Sequence, residues 1–197
     1  MLISRAQIYN ITLNILGISM PLENVNSSDN KAILLNNYYE LAKNFVLKDF
    51  DWNFASTYKA LSLCDSENIT GEYTYCYDYP NDCVCARQVL DNFKFDTHKF
   101  LVSSTSQGST AILTNCKNAI LRYTRNVDKE VYFSCEFSMA LAYYLASLTS
   151  NVLSGSIQKG ELAFEKYKAL LSRAKLLNAR EGEDIEFDDK TYIDARS

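Results

Sequence analysis

Apolar positions near the start of the chain repeat with the period of an α-helix. Ser4 followed by Gln7 matches a capping box at the start of this segment. Gly17 and then Pro21 supply a stop signal at its end. The apolar positions between these signals are Ile8, Ile11, Ile15 and Leu16. This spacing predicts a first amphipathic helix with one buried face.

A second and longer helical pattern follows the polar, turn-like segment 22–30. Ser28 or Asp29 can cap this helix, which we expect to end between Phe50 and Trp52. Its apolar stripe consists of Ala32, Leu35, Tyr38 or Tyr39, Ala42, Phe45 and Val46.

The pattern changes to period two in the middle of the chain. Four tyrosines occupy alternate positions, which predicts a strand with one aromatic face. These residues are Tyr73, Tyr75, Tyr77 and Tyr79. Extended, alternating or β-branched segments also lie at 54–63, 87–91, 99–104, 111–115 and 119–125, and the polar run 103–110 predicts a hairpin or flexible tip. Residues 54–125 therefore predict a small antiparallel sheet.

Helical patterns return after Asp128. Residues 131–148 are rich in alanine, leucine and aromatic residues and are apolar on more than one face, which predicts a buried helix. A short turn with Gly155 then leads to a last amphipathic helix, which predicts two antiparallel neighbours. The stripe of the last helix is Leu162, Ala163, Tyr167, Leu170, Leu171, Ala174 and Leu177.

Together these elements predict an α+β fold. Four helices share one core as a four-helix bundle, and a small antiparallel β-sheet is inserted between helices 2 and 3. We expect residues 1–53 and 126–177 to form the helical core and residues 54–125 to form the β insertion. Residues 178–197 are expected to extend from this core as an acidic C-terminal arm.

Charge is concentrated in that arm. The 197 residues carry a net charge of −4, and the arm accounts for all of it. Its acidic residues are Glu181, Glu183, Asp184, Glu186, Asp188, Asp189 and Asp194. They lack the spacing of an EF-hand, and the chain has no basic block that could grip phosphates. We therefore expect neither a cation site nor sequence-specific DNA binding.

The chain also lacks the patterns of export and membrane insertion. No secretory signal is recognisable, and the best apolar candidate, residues 137–148, is shorter than the roughly 20 residues that span a bilayer. We expect a soluble protein made in a cytoplasm, with no membrane partner.

Few residues suit catalysis. The six cysteines are expected to be free thiols, and Cys83 and Cys85 are spaced too closely for a usual zinc pair. His98 is the single histidine, and we expect it to be a polar strand residue. No glycine-rich phosphate loop or G-x-S-x-G elbow occurs. We expect no catalytic residues, no cofactor and no metal, and therefore a protein that is not an enzyme.

Several short motifs occur in an informative order. They are Leu16-Gly17-Ile18, Trp52-Asn53-Phe54, the run from Tyr75 to Cys83 with sequence YCYDYPNDC, Arg122-Tyr123-Thr124 before Asp128, and the Ala/Leu-rich helix at 137–146. In this order, residues 5–177 resemble the tail tubular protein A family of podoviruses, the head–tail adaptor (connector, gatekeeper) ring beneath the portal. Cys85 stands where that family often has a basic residue, and the acidic arm has no counterpart there. The frequent use of Asn, Lys and Ile indicates an AT-rich genome, which is typical of a crAss-like phage, whose equivalent part is a ring protein.

The resemblance implies a structural virion protein at the head–tail junction, assembled in the cytoplasm of the bacterial host. It implies a ring of twelve copies that contacts the portal on one face and the next tail component or ring protein on the other. Double-stranded DNA would pass through its channel without sequence-specific binding, and a neutral to acidic chain agrees with such a conduit. The tyrosine face is expected in the core or at a subunit interface, and the arm on a partner. The candidate interface residues are Tyr73, Tyr75, Tyr77, Tyr79, Glu183, Asp184, Glu186, Asp188 and Asp189.

Two alternatives remain open from the residues alone. The Tyr73–Tyr79 face could stack the bases of a single-stranded nucleic acid, although no Lys or Arg lies between Thr70 and Val84. Cys83 and Cys85 could instead form the centre of a thiol- or metal-dependent hydrolase.

Overall fold

The computed structural model describes residues 3–64, 71–91, 96–105 and 107–182, with side chains described as far as residue 175. The described residues form four α-helices, which are α1 (Arg5–Ile15), α2 (Asn30–Asp49), α3 (Cys135–Ser154) and α4 (Ile157–Gly182). They also form seven strands, which are β1 (Ser56–Ala60), β2 (Tyr75–Asp78), β3 (Cys83–Asp91), β4 (Thr97–His98), β5 (Phe100–Ser104), β6 (Thr110–Thr114) and β7 (Ala119–Arg125). All four predicted helices are present, and α4 continues past the predicted boundary at residue 177.

The ends of α1 follow the predicted signals. Ser4 Oγ accepts a hydrogen bond from the backbone N–H of Gln7 at 3.3 Å, and Gln7 Oε1 accepts one from the N–H of Ser4 at 2.8 Å. These bonds satisfy donors that the start of a helix leaves without partners in the helix. Gly17 has a φ of +74°, a left-handed conformation that favours glycine. The predicted capping box and stop signal are confirmed.

Helix α3 is the centre of the helical part. It lies against α1, α2 and α4, and it is buried on more than one face, as its composition predicts. Its buried apolar residues are Phe137, Ala140, Leu141, Ala142, Leu145 and Ala146. The spacing between packed helices depends on the side chains at the contact, so these alanines let the neighbouring helices approach closely. Neither α3 nor any other helix within the described ranges is long and apolar enough to cross a bilayer.

The strands form two antiparallel sheets. Sheet A has the order β1-β7-β3-β4, and sheet B has the order β2-β6-β5. In sheet A, Ser56 pairs with Thr124, so the strand that enters the β region lies beside the strand that leaves it. Strands β5 and β6 form the predicted hairpin, with Gly108 in its turn.

The inner faces of the two sheets pack on each other. Tyr77 and Ile112 of sheet B are buried together with Val89, Leu121 and Tyr123 of sheet A. Because side chains alternate across a strand, each of these sheets contributes one face to this second core. The aromatic face of β2 is therefore turned towards the interior of its own chain.

The predicted four-helix bundle with one small inserted sheet is wrong. The helices do not form a bundle, because α1, α2 and α4 are arranged around α3, and α1 has 11 residues against 20 for α3. A helix of this length spans about 16 Å, so α1 covers only part of α3. The strands are also more substantial than predicted, since two sheets with a shared core replace one small sheet. The α+β class itself is retained.

The prediction of free thiols is wrong for Cys64 and Cys76, which form a disulfide. Residues 62–64 run antiparallel to β2, where Leu63 pairs with Tyr77 and the N–H of Cys64 donates to the carbonyl of Cys76 at 2.9 Å. This pairing brings the two Cα atoms within 5.6 Å, a usual separation for a disulfide. The remaining cysteines, Cys83, Cys85, Cys116 and Cys135, are free thiols.

Arg87 of β3 joins the helical part to sheet A. One terminal nitrogen of its guanidinium donates to the backbone carbonyls of Leu47, Lys48 and Phe50, at 3.1, 3.0 and 2.9 Å. Its Nε donates to Thr124 Oγ1 of β7 at 2.9 Å. The last carbonyls of a helix receive no hydrogen bond from the helix backbone. Because they also lie at the negative end of the helix dipole, a cation next to them is stabilising.

The chain leaves α2 through an aromatic cluster. Trp52 Nε1 donates to the carbonyl of Val46 at 2.8 Å, which folds the indole back onto the helix. The ring of Trp52 meets the edge of Phe137 of α3, with centroids 5.2 Å apart, and Phe54 contacts the same phenylalanine at 5.0 Å. The Trp52-Asn53-Phe54 motif thus anchors the start of the β region to the central helix.

We predict that Arg87→Ala lowers the free energy of unfolding by about 2–3 kcal/mol, because it leaves partly buried carbonyls without their charged donor. Arg87→Lys is expected to fall between the wild type and Arg87→Ala, since an ammonium cannot reproduce the fork of the guanidinium. Urea unfolding followed by circular dichroism measures the change. Arg173→Ala, at an exposed position of α4, is the matched control and should change stability by less than about 0.5 kcal/mol. Equal stability of Arg87→Ala and Arg173→Ala would contradict the role of Arg87.

Candidate functional site

The four tyrosines of the predicted aromatic face occupy different environments. Tyr75 and Tyr77 lie in β2 with ring centroids 6.2 Å apart, and Tyr77 is 2% exposed between the two sheets. Tyr79 follows β2 and is partly buried against the same core. Tyr73 precedes β2 and packs against a separate cluster on the other face of sheet B, which consists of Cys76, Ala111 and Leu113. Base stacking needs an open ring face, and Tyr77 does not present one.

The hydroxyl of Tyr77 holds the turn between β6 and β7. It donates to the carbonyl of Cys116 at 3.0 Å and accepts from the N–H of Asn118 at 3.1 Å. Asn118 has a φ of +61°, a left-handed conformation that asparagine adopts more readily than most residues. Burial raises the pKa of Tyr77, so its hydroxyl keeps the proton that it donates. The innermost tyrosine is therefore a structural support for this turn.

Cys83 is a poor nucleophile at neutral pH. The pKa of its thiol is raised to about 11, mainly by burial and to a smaller extent by the nearby Cys85 and Asp82, while a hydrogen bond from the Tyr79 hydroxyl works in the opposite direction. The reactive form of a cysteine is the thiolate, which is scarce so far below the pKa. Cys83 and Tyr79 border an open cleft of about 580 Å³.

The acidic residues that were predicted to form part of an interface lie outside the part of the chain that the structure describes. These residues are Glu183, Asp184, Glu186, Asp188 and Asp189, and α4 ends at Gly182 directly before the first of them. The structure therefore places Tyr75, Tyr77 and Tyr79 against the core between the sheets, whereas Tyr73 packs on the opposite face of sheet B, so the predicted single face of four tyrosines is wrong for Tyr73. The relation of these tyrosines to the acidic arm stays a prediction.

A strip of large apolar residues lies open on the helical part. Leu41 and Phe45 of α2 are 64% and 44% exposed, and Phe164 of α4 is 40% exposed. Tyr144 of α3 joins them, because its ring stacks on Phe45 with centroids 4.6 Å apart and contacts Phe164 at 6.4 Å. We call these four residues the aromatic strip. Contiguous apolar surface of this kind is typical of protein–protein contacts.

Sequence patterning assigned Phe45 to the buried stripe of α2, where the structure leaves it exposed. Lys43 of the same helix, which the apolar pattern does not include, is buried with an exposure of 2%. Its Nζ lies 2.7 Å from the carboxylate of Glu40. The sequence does contain one indication of the strip. Leu41 is a large apolar residue outside the predicted stripe, and it lies four positions before Phe45, so the two are neighbours on the helix surface.

A second open feature is the edge of sheet B. Among the described strands, β5 is the last in that sheet and pairs with β6 on one side. Leu101 and Val102 in this strand are exposed. An edge strand presents backbone donors and acceptors that can pair with a strand of another chain.

A cluster of charges near the start of α3 is structural. Arg5 Nε lies 2.8 Å from Glu130 Oε1, which also accepts from the Tyr39 hydroxyl at 3.0 Å. Burial raises the pKa of Glu130, but the hydrogen bonds from Arg5 and Tyr39 and the charge of Arg5 outweigh it, so the pKa is lowered. The carboxylate is therefore ionised at neutral pH and ties the segment that leads into α3 to α1 and α2.

One group in the described part of the chain has donor atoms close enough together to hold a metal ion. Asp91, His98 and Cys116 each place a donor atom within 4.8 Å of the others. His98 lies in the short strand β4, as the sequence predicts, but its two neighbours are seven and eighteen positions away, so sequence reasoning missed the grouping.

No protein-family model and no curated protein matches the chain. The resemblance to head–tail adaptors therefore rests on the order of the motifs along residues 5–177.

We predict that the free thiols differ in their rate of alkylation. The exposed Cys135 should react first, and Cys83 should react slowly at neutral pH because its pKa is about 11. The rate at Cys83 should rise about tenfold per pH unit as the thiolate fraction grows. Mass spectrometry of peptides after a timed exposure to iodoacetamide measures both rates. The protein unfolded in urea is the control, and equal native and unfolded rates at Cys83 would show that its thiol is not protected.

Proposed function

We propose that the chain is a structural adaptor, and not an enzyme, that assembles into a ring at the head–tail junction of a bacteriophage virion. The ring joins the portal to the next tail component and lines part of the DNA channel. Twelve copies form it, as in the family that the motifs resemble. The aromatic strip is the observation that carries this proposal, because it is a contiguous apolar surface that needs a partner.

A ring requires two different contact surfaces on each copy. A head-to-tail interface joins one surface of a copy to a different surface of the next copy. Such copies form a closed ring when a whole number of them completes a full rotation. The aromatic strip on the helices and the open edge of β5 on sheet B are two such surfaces, and they differ in chemistry. We propose that the strip of one copy contacts the next copy.

The charge of the chain supports passage of DNA rather than binding to it. Residues 1–177 are neutral overall and the arm is acidic, so the net charge of the chain does not attract phosphates. The raised pKa of Cys83 supports a role other than thiol catalysis. The acidic arm is proposed to order on a partner of the ring, since its charge favours an extended form when it is alone.

We predict that the purified chain forms a high-order ring, either alone or on a portal protein encoded in the same genome. Mass photometry counts the copies in each assembly. Leu41→Asp should weaken the assembly at least about tenfold, because a carboxylate would be buried in an apolar contact. Phe164→Ser should act in the same direction through loss of aromatic contact.

Met20→Asp is the matched control for these substitutions. Met20 is also an exposed apolar residue, but it lies in the loop between α1 and α2, outside the strip. Circular dichroism of each variant separates a loss of assembly from a loss of folding. If the wild type stays monomeric at all concentrations and with the portal, the adaptor proposal fails.

A further inference from the structure

We propose that Asp91, His98 and Cys116 form a zinc site at one end of sheet A. The donor atoms of the three residues all lie within 4.8 Å of one another. Ligand atoms at the usual zinc distances of about 2.0–2.3 Å are separated by about 3.5 Å in a tetrahedron. The donor atoms therefore need to approach one another by at most about 1.3 Å to reach the geometry of a bound ion.

The fold brings the three residues together from three different elements. Asp91 is the last residue of β3, where it pairs with Ala119 of β7. His98 reaches the same place because β4 runs antiparallel to β3, with His98 opposite Val89. Cys116 belongs to the turn between β6 and β7. The site thus depends on the sheet pairing and not on a local sequence motif.

The turn that carries Cys116 is held firmly. The N–H of Cys116 donates to Thr114 Oγ1 at 3.3 Å, and its carbonyl accepts from the Tyr77 hydroxyl at 3.0 Å. The residue is buried, with an exposure of 2%. A ligand fixed from both sides in this way loses little conformational freedom when it binds an ion.

The mixture of donors selects the class of metal. Thiolate, imidazole and carboxylate are all common ligands of zinc, whereas calcium and magnesium prefer sites made of oxygen atoms. Asp91 and His98 are partly exposed and Cys116 is buried, so the ion can enter from the solvent side. Three protein ligands leave a fourth position, which water fills. On binding, the Cys116 thiol releases its proton to solvent and becomes the thiolate ligand.

The site would fix the shortest strand of sheet A in place. Strand β4 has two residues and pairs with β3 alone among the described strands. An ion bound to His98 would tie this strand to the end of β3 and to the β6–β7 turn. Binding to the folded state alone raises stability, so zinc should increase the melting temperature of the protein.

Cobalt(II) is the probe for this site, because it occupies zinc sites and reports thiolate ligation by its absorption spectrum. We expect the metal-free, full-length protein to bind one equivalent of Co²⁺ with a sulfur-to-cobalt charge-transfer band, and Zn²⁺ to displace it. His98→Gln should weaken binding at least about 100-fold while leaving the buried thiol and the fold in place. Cys116→Ser should abolish the charge-transfer band.

Cys135→Ser is the matched control, because it removes an exposed free thiol at the start of α3 and should leave the band unchanged. A folded wild type that gives no band with Co²⁺ overturns the proposal. So does a band that persists in both His98→Gln and Cys116→Ser, since another thiol would then bind the ion. Neither result bears on ring assembly, which is measured separately.

Discussion

The hydrogen bonds of the Arg87 guanidinium connect the helical part of this fold to sheet A. Arg87 sits in a strand of sheet A and bonds to three carbonyls at the end of α2 and to a threonine of β7. Asp51 adds to the same junction, because its carboxylate lies 2.6 Å from the Arg122 guanidinium of β7. These bonds set the direction in which the chain leaves α2, and the direction of β1 determines where the rest of sheet A can form. The aromatic residues around Trp52 then fill the space between the junction and α3.

The helices were predictable because the signals that define them are local. The capping box at Ser4, the stop at Gly17 and the apolar stripes lie within a few turns of the residues that they order. The arrangement of the strands was not predictable in the same way. Strand β2 pairs with β6, more than 30 residues later. The period-two pattern correctly predicts that Tyr75 and Tyr77 share a face, but it does not say what that face contacts, and it fails for Tyr73, which precedes the strand. The choice between one sheet and two depends on such non-local pairing.

The same limit applies to the candidate sites. The tyrosine run was visible in the sequence, but its role as support for the β6–β7 turn depends on Cys116 and Asn118, which are about 40 positions away. The disulfide between Cys64 and Cys76 could not be predicted without knowing that the chain around Leu63 pairs with β2. The aromatic strip was missed because Phe45 fits the buried stripe by spacing alone. Lys43 is buried and its ammonium is paired with Glu40, a partner that apolar periodicity does not consider.

The pairing of Ser56 with Thr124 places the entry and the exit of the β region side by side. A segment whose two ends are neighbours can be lengthened, shortened or replaced without displacing the structure that carries it. The helices around α3 could thus remain constant while the sheets between them diverge. Recombination between related genomes that exchanged residues 56–124 would leave both junctions intact, provided that the incoming segment kept a guanidinium in reach of the end of α2. Relatives of this chain should then differ most in the strands and least in α3.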